Sequence, residues 1–117
     1  MLPFVKGARA MRRFGQVIKL KPGVLESYTR YHAAIWPEIA RTIRDCNIRN
    51  YSIYHKDGFL FAYMEYDGAD FDGDMARMAA DPKTQEWWAI MKPMQAPVKT
   101  RAEGEWWADM KEVFHVD

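Results

Sequence analysis

Long apolar runs are missing from this sequence. No stretch approaches the roughly 20 residues that a bilayer-crossing helix needs, and the opening MLPFVKGARA has neither a continuous hydrophobic segment nor a leading basic region. The reading is of a cytoplasmic protein with no membrane partner. Charge of one sign is missing as well: 17 Lys and Arg stand against 16 Asp and Glu, which excludes both the basic footprint of a nucleic-acid binder and an acidic tail. Cysteine is nearly absent, since Cys46 alone cannot form an internal disulfide and reads as a small core residue. The glycines form no phosphate-cradling loop, and no GxSxG elbow occurs. His32, His55 and His115 lie far apart, with no HxxxH or cysteine-pair spacing and no acidic cluster beside them. Neither a metal nor an organic cofactor is therefore expected.

Aromatic chemistry is what the chain has in quantity: 49% of its residues are hydrophobic and 15% aromatic. A chain of 117 residues makes one core and leaves apolar surface for a partner, so a homodimer is expected. Residues 1–11 read as an irregular N-terminal extension and residues 12–117 as a single domain. RRFGQVIKL alternates and then meets Lys21-Pro22-Gly23, a strand ended by a turn. From residue 24 to about 45, Leu25, Tyr28, His32, Ile35, Trp36, Ile39 and Ile43 recur at helical spacing. IRNYSIYHKDGFLFAYMEY reads as two strands joined by a tight turn at Asp57-Gly58. A second helical region over residues 70–91 is interrupted at Asp81-Pro82, a cap followed by a proline suited to the first helical position. Residues 93–104 read as loop, and MKEVFHVD alternates as a last strand. The order βαββαβ predicts an α+β ferredoxin-like sandwich of the dimeric α/β barrel type, with both helical regions on one face of an antiparallel sheet. Phe59, Phe61 and Tyr63 would occupy one face of that sheet and Leu60, Met64 and Tyr66 the other, so the face away from the helices calls for a second subunit.

Within YTRYHAAIWPEI, His32 lies on the apolar stripe between Tyr28 and Trp36. One reading is a core histidine satisfied by a backbone carbonyl; the other is an acid–base group. Pro37 cannot donate to the carbonyl of Ala33, so the helix should bend or restart just beyond His32 and open a concave pocket. Trp87 and Trp88 form a second cluster with Met91 one turn on. Either one indole is core and the other half-exposed, or the pair supplies planes on which the C–H faces and 6-deoxy methyl group of a pyranose pack. Tyr28, Tyr51 and Asn50 could supply polar contacts to sugar hydroxyls.

The motif YxxxHxxIWPE over residues 28–38, NYSIY over residues 50–54, and the Trp87-Trp88 pair followed by Met91 together resemble the L-rhamnose mutarotase family. The resemblance covers residues 12–116. It implies a dimeric ferredoxin-like protein that interconverts the α and β anomers of a 6-deoxyhexose, L-rhamnose or in some relatives L-fucose, without metal or cofactor. On that resemblance His32 matches the proton-donating histidine, Tyr28 and Tyr51 match sugar-contacting tyrosines, and Trp87 and Trp88 match the binding tryptophan pair. The sequence departs from the family in its N-terminal extension and in its longer segment between Ala96 and Trp107, which bears on sugar preference.

Mutarotation opens a hemiacetal to the free aldehyde, turns its carbonyl and recloses it, so one proton reaches the ring oxygen as another leaves the anomeric hydroxyl. A histidine can give a proton and take it back, and positioned acid–base catalysis contributes on the order of 10²–10⁴ in rate. Two other readings share these residues: a cofactor-free monooxygenase of the same barrel type, and a non-catalytic sugar-binding module.

Overall fold

The computed structural model describes residues 11–117, so the expected extension lies, except for Met11, outside the described residues. Five strands form one sheet: β1 (Arg12–Leu20), β2 (Ile48–Lys56), β3 (Phe59–Tyr66), β4 (Gln95–Ala96) and β5 (Ala108–Met110). Their order is β2-β3-β1-β4, with β5 also paired to β1 and every pairing antiparallel. Four helices accompany it: α1 (Leu25–Ala33), α2 (Pro37–Asp45), α3 (Phe71–Ala80) and α4 (Pro82–Met91). This is the expected ferredoxin-like α+β architecture.

The single expected helix over residues 24–45 is two helices. Trp36 is extended (φ −63°, ψ 132°) and Pro37 occupies the first helical position of α2, where its missing N–H costs nothing. The second helical region likewise divides at Asp81. That residue ends α3 and caps α4, its carboxylate accepting from the backbone N–H of Thr84 at 2.9 Å and from the Thr84 hydroxyl at 2.9 Å. At the β2–β3 turn, Asp57 and Gly58 both take positive φ (54° and 82°), as a two-residue hairpin with the strands' right-handed twist requires.

Alternation on β3 sorts its residues as expected. Leu60, Ala62, Met64 and Tyr66 are buried beneath the helices, and Phe59, Phe61 and Tyr63 are half-buried on the opposite face. The core runs from Ile18, Leu20 and Leu60 through Tyr28 and Ile39 to Trp87 and Met91. Cys46 is buried, consistent with its reading as a core residue.

Two features depart from expectation. The fourth strand is split: β4 pairs with Lys19 and Leu20, β5 pairs with Gly15, Gln16 and Val17, and residues 97–107 leave the sheet between them. Beyond Met110 the tail forms no strand. Arg13 and Glu112 meet there through side chains, at 2.9 and 3.0 Å, and Val113, Phe114 and Val116 are largely exposed. Among the described residues the tail has no strand to pair with beyond Met110, so its alternation does not become a strand.

A β-bulge in β2 sets which residues face the helices. Arg49 pairs with Glu65 and Ser52 with Tyr63, so Asn50 and Tyr51 together oppose Met64. Asn50 adopts φ +49°, a conformation that asparagine tolerates better than most residues, and its amide donates to Glu65 at 2.6 Å. The extra residue switches the strand's parity. Ile48 faces inward before the bulge, and Tyr51 and Ile53 do so after it.

Candidate active site

Between the helices and the sheet lies a cleft of about 1060 Å³, just above the roughly 300–1,000 Å³ common for small-molecule sites. Tyr28, His32, Tyr51, Trp87 and Trp88 all line it, so the structure brings these five sequence-predicted residues to one cavity. Asn50 is not among the lining residues, because its side chain is committed to Glu65. Glu38 is exposed in the first turn of α2 and also stays outside. Among the described residues no Asp or Glu lines the cleft.

His32 sits in the last turn of α1, and its Nδ1 lies 2.8 Å from the backbone carbonyl of Tyr28. A carbonyl only accepts, so Nδ1 carries the hydrogen and Nε2 holds the lone pair. Nε2 has no protein partner among the described residues, yet none of their buried side-chain nitrogens or oxygens lacks one, so Nε2 is open to the cleft. The Nδ1 contact is the backbone-satisfied reading of His32, and the open Nε2 leaves the acid–base reading available. Burial lowers the pKa of the imidazole below its ordinary 6.5, against the opposing effect of the Tyr28 carbonyl, so His32 is neutral at physiological pH. The other histidine lining the cleft, His55, has its Nε2 occupied by the backbone N–H of Gly58 at 3.3 Å.

Aromatic rings fix the imidazole from two sides. The Tyr28 ring lies 4.4 Å away, tilted by 31°, and Trp87 meets it edge-on at 5.4 Å. Trp87 itself is 6% exposed and packs edge-on against Trp36 at 5.1 Å, so it is core as well as wall. Trp88 is half-buried, with the Lys92 ammonium 5.4 Å above its ring. The two indoles therefore divide as anticipated, one packed and one partly open.

The tyrosine hydroxyls are held protonated. Tyr28, only 4% exposed, has its pKa raised by burial, an effect partly offset by a hydrogen bond from Gln95. Tyr51 leaves 42% of its surface open, but the protein around its hydroxyl, with Tyr28 nearby, pushes its pKa up to about 12. Both phenols are hydrogen-bond donors across the physiological range.

Three cleft residues have no counterpart in the sequence-based site. Gln95 is buried and donates to the Tyr28 hydroxyl at 2.9 Å. Trp106 donates its indole N–H to Gln95 Oε1 at 2.8 Å, and Trp107 lies beside it. The one signal that could have found the last two is the Trp106-Trp107 dipeptide, a second copy of the Trp87-Trp88 pattern.

Comparison with known proteins gives a consistent result. The family profile described as L-rhamnose mutarotase matches residues 13–116. A protein named L-rhamnose mutarotase from Phocaeicola vulgatus is 36% identical over 115 residues, covering 92% of this chain and 100% of the relative. Another of that name from Ligilactobacillus salivarius is 34% identical over 110 residues, covering 90% and 97%. Among solved structures, the L-rhamnose mutarotase of Formosa agariphila superposes with a TM-score of 0.71 at 23% identity, covering 91% of this chain and 99% of that one. Tetracenomycin F2 cyclase from Streptomyces glaucescens, a polyketide cyclase, does so with a TM-score of 0.67 at 14% identity over 91% and 99%, a likeness of fold alone.

Proposed function

The chain belongs to the L-rhamnose mutarotase family, and from that membership we propose that it interconverts the α and β anomers of a 6-deoxyhexose such as L-rhamnose or L-fucose, with His32 moving the proton. The observation that carries the reading is a neutral imidazole whose Nε2 opens into an aromatic cleft that no carboxylate lines among the described residues.

Because the resting imidazole is neutral, it begins as an acceptor and not as the proton donor that the resemblance implies. Nε2 takes the proton of the anomeric hydroxyl, C1–O1 becomes a carbonyl, and the C1–O5 bond opens as O5 takes a proton from a second group. The aldehyde turns about C1–C2. On reclosure O5 attacks the other face, and the imidazolium returns its proton to O1. His32 therefore donates in the second half of each cycle, which reconciles the two roles.

The remaining residues bind. The open part of the Trp88 indole offers a plane for the sugar's C–H face and methyl group, and Trp87 contacts the sugar at its exposed edge while fixing the imidazole. Tyr51 donates to a ring hydroxyl from the position that the β2 bulge gives it. The outer sheet face, with Phe59, Phe61 and Tyr63 half-buried and Tyr54 exposed, packs on a second copy of the chain.

Saturation transfer between the two anomeric proton signals tests the activity directly. With either L-rhamnose or L-fucose, catalytic amounts of protein are expected to make saturation of one signal deplete the other well beyond the spontaneous rate. A protein that left both sugars at the spontaneous rate would not be a mutarotase of this class.

A further inference from the structure

The opening step requires a proton at O5 while His32 accepts at O1, and the cleft has no acidic carboxyl to deliver it among the described residues. We propose that Trp106 and Gln95 are positioning residues that lock the Tyr28 hydroxyl as a donor toward the bound sugar, making Tyr28 the acid that complements the His32 base. The proposal rests on the mutarotase reading and assigns a role to the excursion at residues 97–107 that interrupts the fourth strand.

The argument is one of direction. An indole N–H can only donate, so the oxygen of the Gln95 amide must face Trp106, at 2.8 Å. That choice turns the amide NH₂ toward Tyr28, and the 2.9 Å contact there is a donation to the phenol oxygen. The Tyr28 hydroxyl thus has an acceptor site occupied. Its own hydrogen has no protein acceptor among the described residues, and Tyr28 lines the cleft. Were Trp106 replaced by a group without an N–H, the amide would be free to rotate and present its oxygen to Tyr28, and the phenol would then donate inward and offer the sugar a lone pair. One hydrogen bond from Trp106, relayed through Gln95, sets the polarity of the site.

Tyr28 is the hub of both chains: its backbone carbonyl fixes the His32 tautomer, and its hydroxyl receives the Gln95 amide. The two rings lie 4.4 Å apart, which sets donor and acceptor on one wall of the cleft. In the forward step the O1 proton passes to Nε2, the electrons of the C1–O5 bond collapse onto O5, and O5 takes the Tyr28 proton. The phenolate left behind is stabilised by the Gln95 N–H that points at it. Reclosure returns the O5 proton to Tyr28 and the imidazolium proton to O1, so atoms and charge balance with no further reactant. The Gln95 hydrogen bond also opposes the burial that raises the Tyr28 pKa, which makes proton donation less costly.

Two substitutions test the relay. Trp106→Phe keeps the ring and removes the donor; kcat for anomer exchange is expected to fall about tenfold with KM within about twofold, the scale of one oriented hydrogen bond. Gln95→Glu is nearly isosteric, but its carboxylate accepts from Tyr28 and reverses the relay. Exchange is expected to be depressed at about pH 8, where the wild type is at its plateau, and to rise relative to wild type as the pH falls and the new carboxyl protonates. A loss of packing alone would not make the ratio of variant to wild type depend on pH. Wild-type kcat in Trp106→Phe, or a Gln95→Glu profile parallel to wild type, would overturn the relay while leaving the mutarotase reading intact. Absence of exchange in the wild type would instead remove the reading on which it rests.

Discussion

Burial beside Tyr28 and Trp87 works against the imidazolium of His32, the Tyr28 carbonyl works for it, and burial is the larger effect. The sign of the pH dependence follows. A base with a depressed folded-state value stays neutral in the native protein to a lower pH than in the unfolded chain, where it protonates near 6.5, so His32 costs stability as the pH falls from 6.5 through the folded value. Catalysis loses its acceptor over the lower part of that window. The exchange rate is expected to be flat from about pH 8 to about pH 7 and to decline with a midpoint below the ordinary histidine value. A pH–rate profile that rises on acidification would show the imidazolium acting as the initial acid. Tyr28 and His32 were legible because they sit one turn apart on a helix, where spacing puts them on a common face, and the Trp87-Trp88 pair because the dipeptide itself stands out. Gln95 and Trp106 were not, since a two-residue strand and a loop carry no period and only the folded chain brings them together.

Punctuation residues placed the helices and the hairpin: Pro37 divided α1 from α2, Asp57-Gly58 made the turn, and Asp81-Pro82 restarted the chain as α4. The bulge in β2 escaped the reading, because an inserted residue leaves the strand's composition unchanged while exchanging its faces. That exchange gives Asn50 to Glu65 on one side and Tyr51 to the cleft on the other. Asn50→Val places a β-branched residue at φ +49°, a strain of about 1–2 kcal/mol, and also removes the bond to Glu65. Chemical denaturation should show a loss of that order for Asn50→Val, together with weaker sugar binding as Tyr51 shifts. Asn50→Gly, which accepts the same backbone without strain, should lose less and bind nearly normally. Equal behaviour of the two variants would mean that the left-handed residue does not hold the bulge.

The whole molecule has one face of its sheet under helices and the other bearing aromatic residues, and its tail exposes Val113, Phe114 and Val116. Alternation in the tail was visible in the sequence, but a period records only that a residue needs cover and not which chain provides it. The proposed second copy on the outer face would cover this surface. Light scattering should give twice the mass of one chain for the wild type, and Phe61→Asp, a charge at the centre of that face, should give the mass of a single chain with the helix content retained. A wild-type mass of one chain would leave the face without a partner. The claim on which the mechanism turns is smaller in scale and can be measured in the same preparation. Anomeric saturation transfer should be recorded for wild type and His32→Ala side by side, with sugar binding followed by tryptophan fluorescence. Rapid exchange in the wild type and exchange at the spontaneous rate in the variant, with binding preserved in both, is the predicted result. Equal exchange by the two proteins would contradict it.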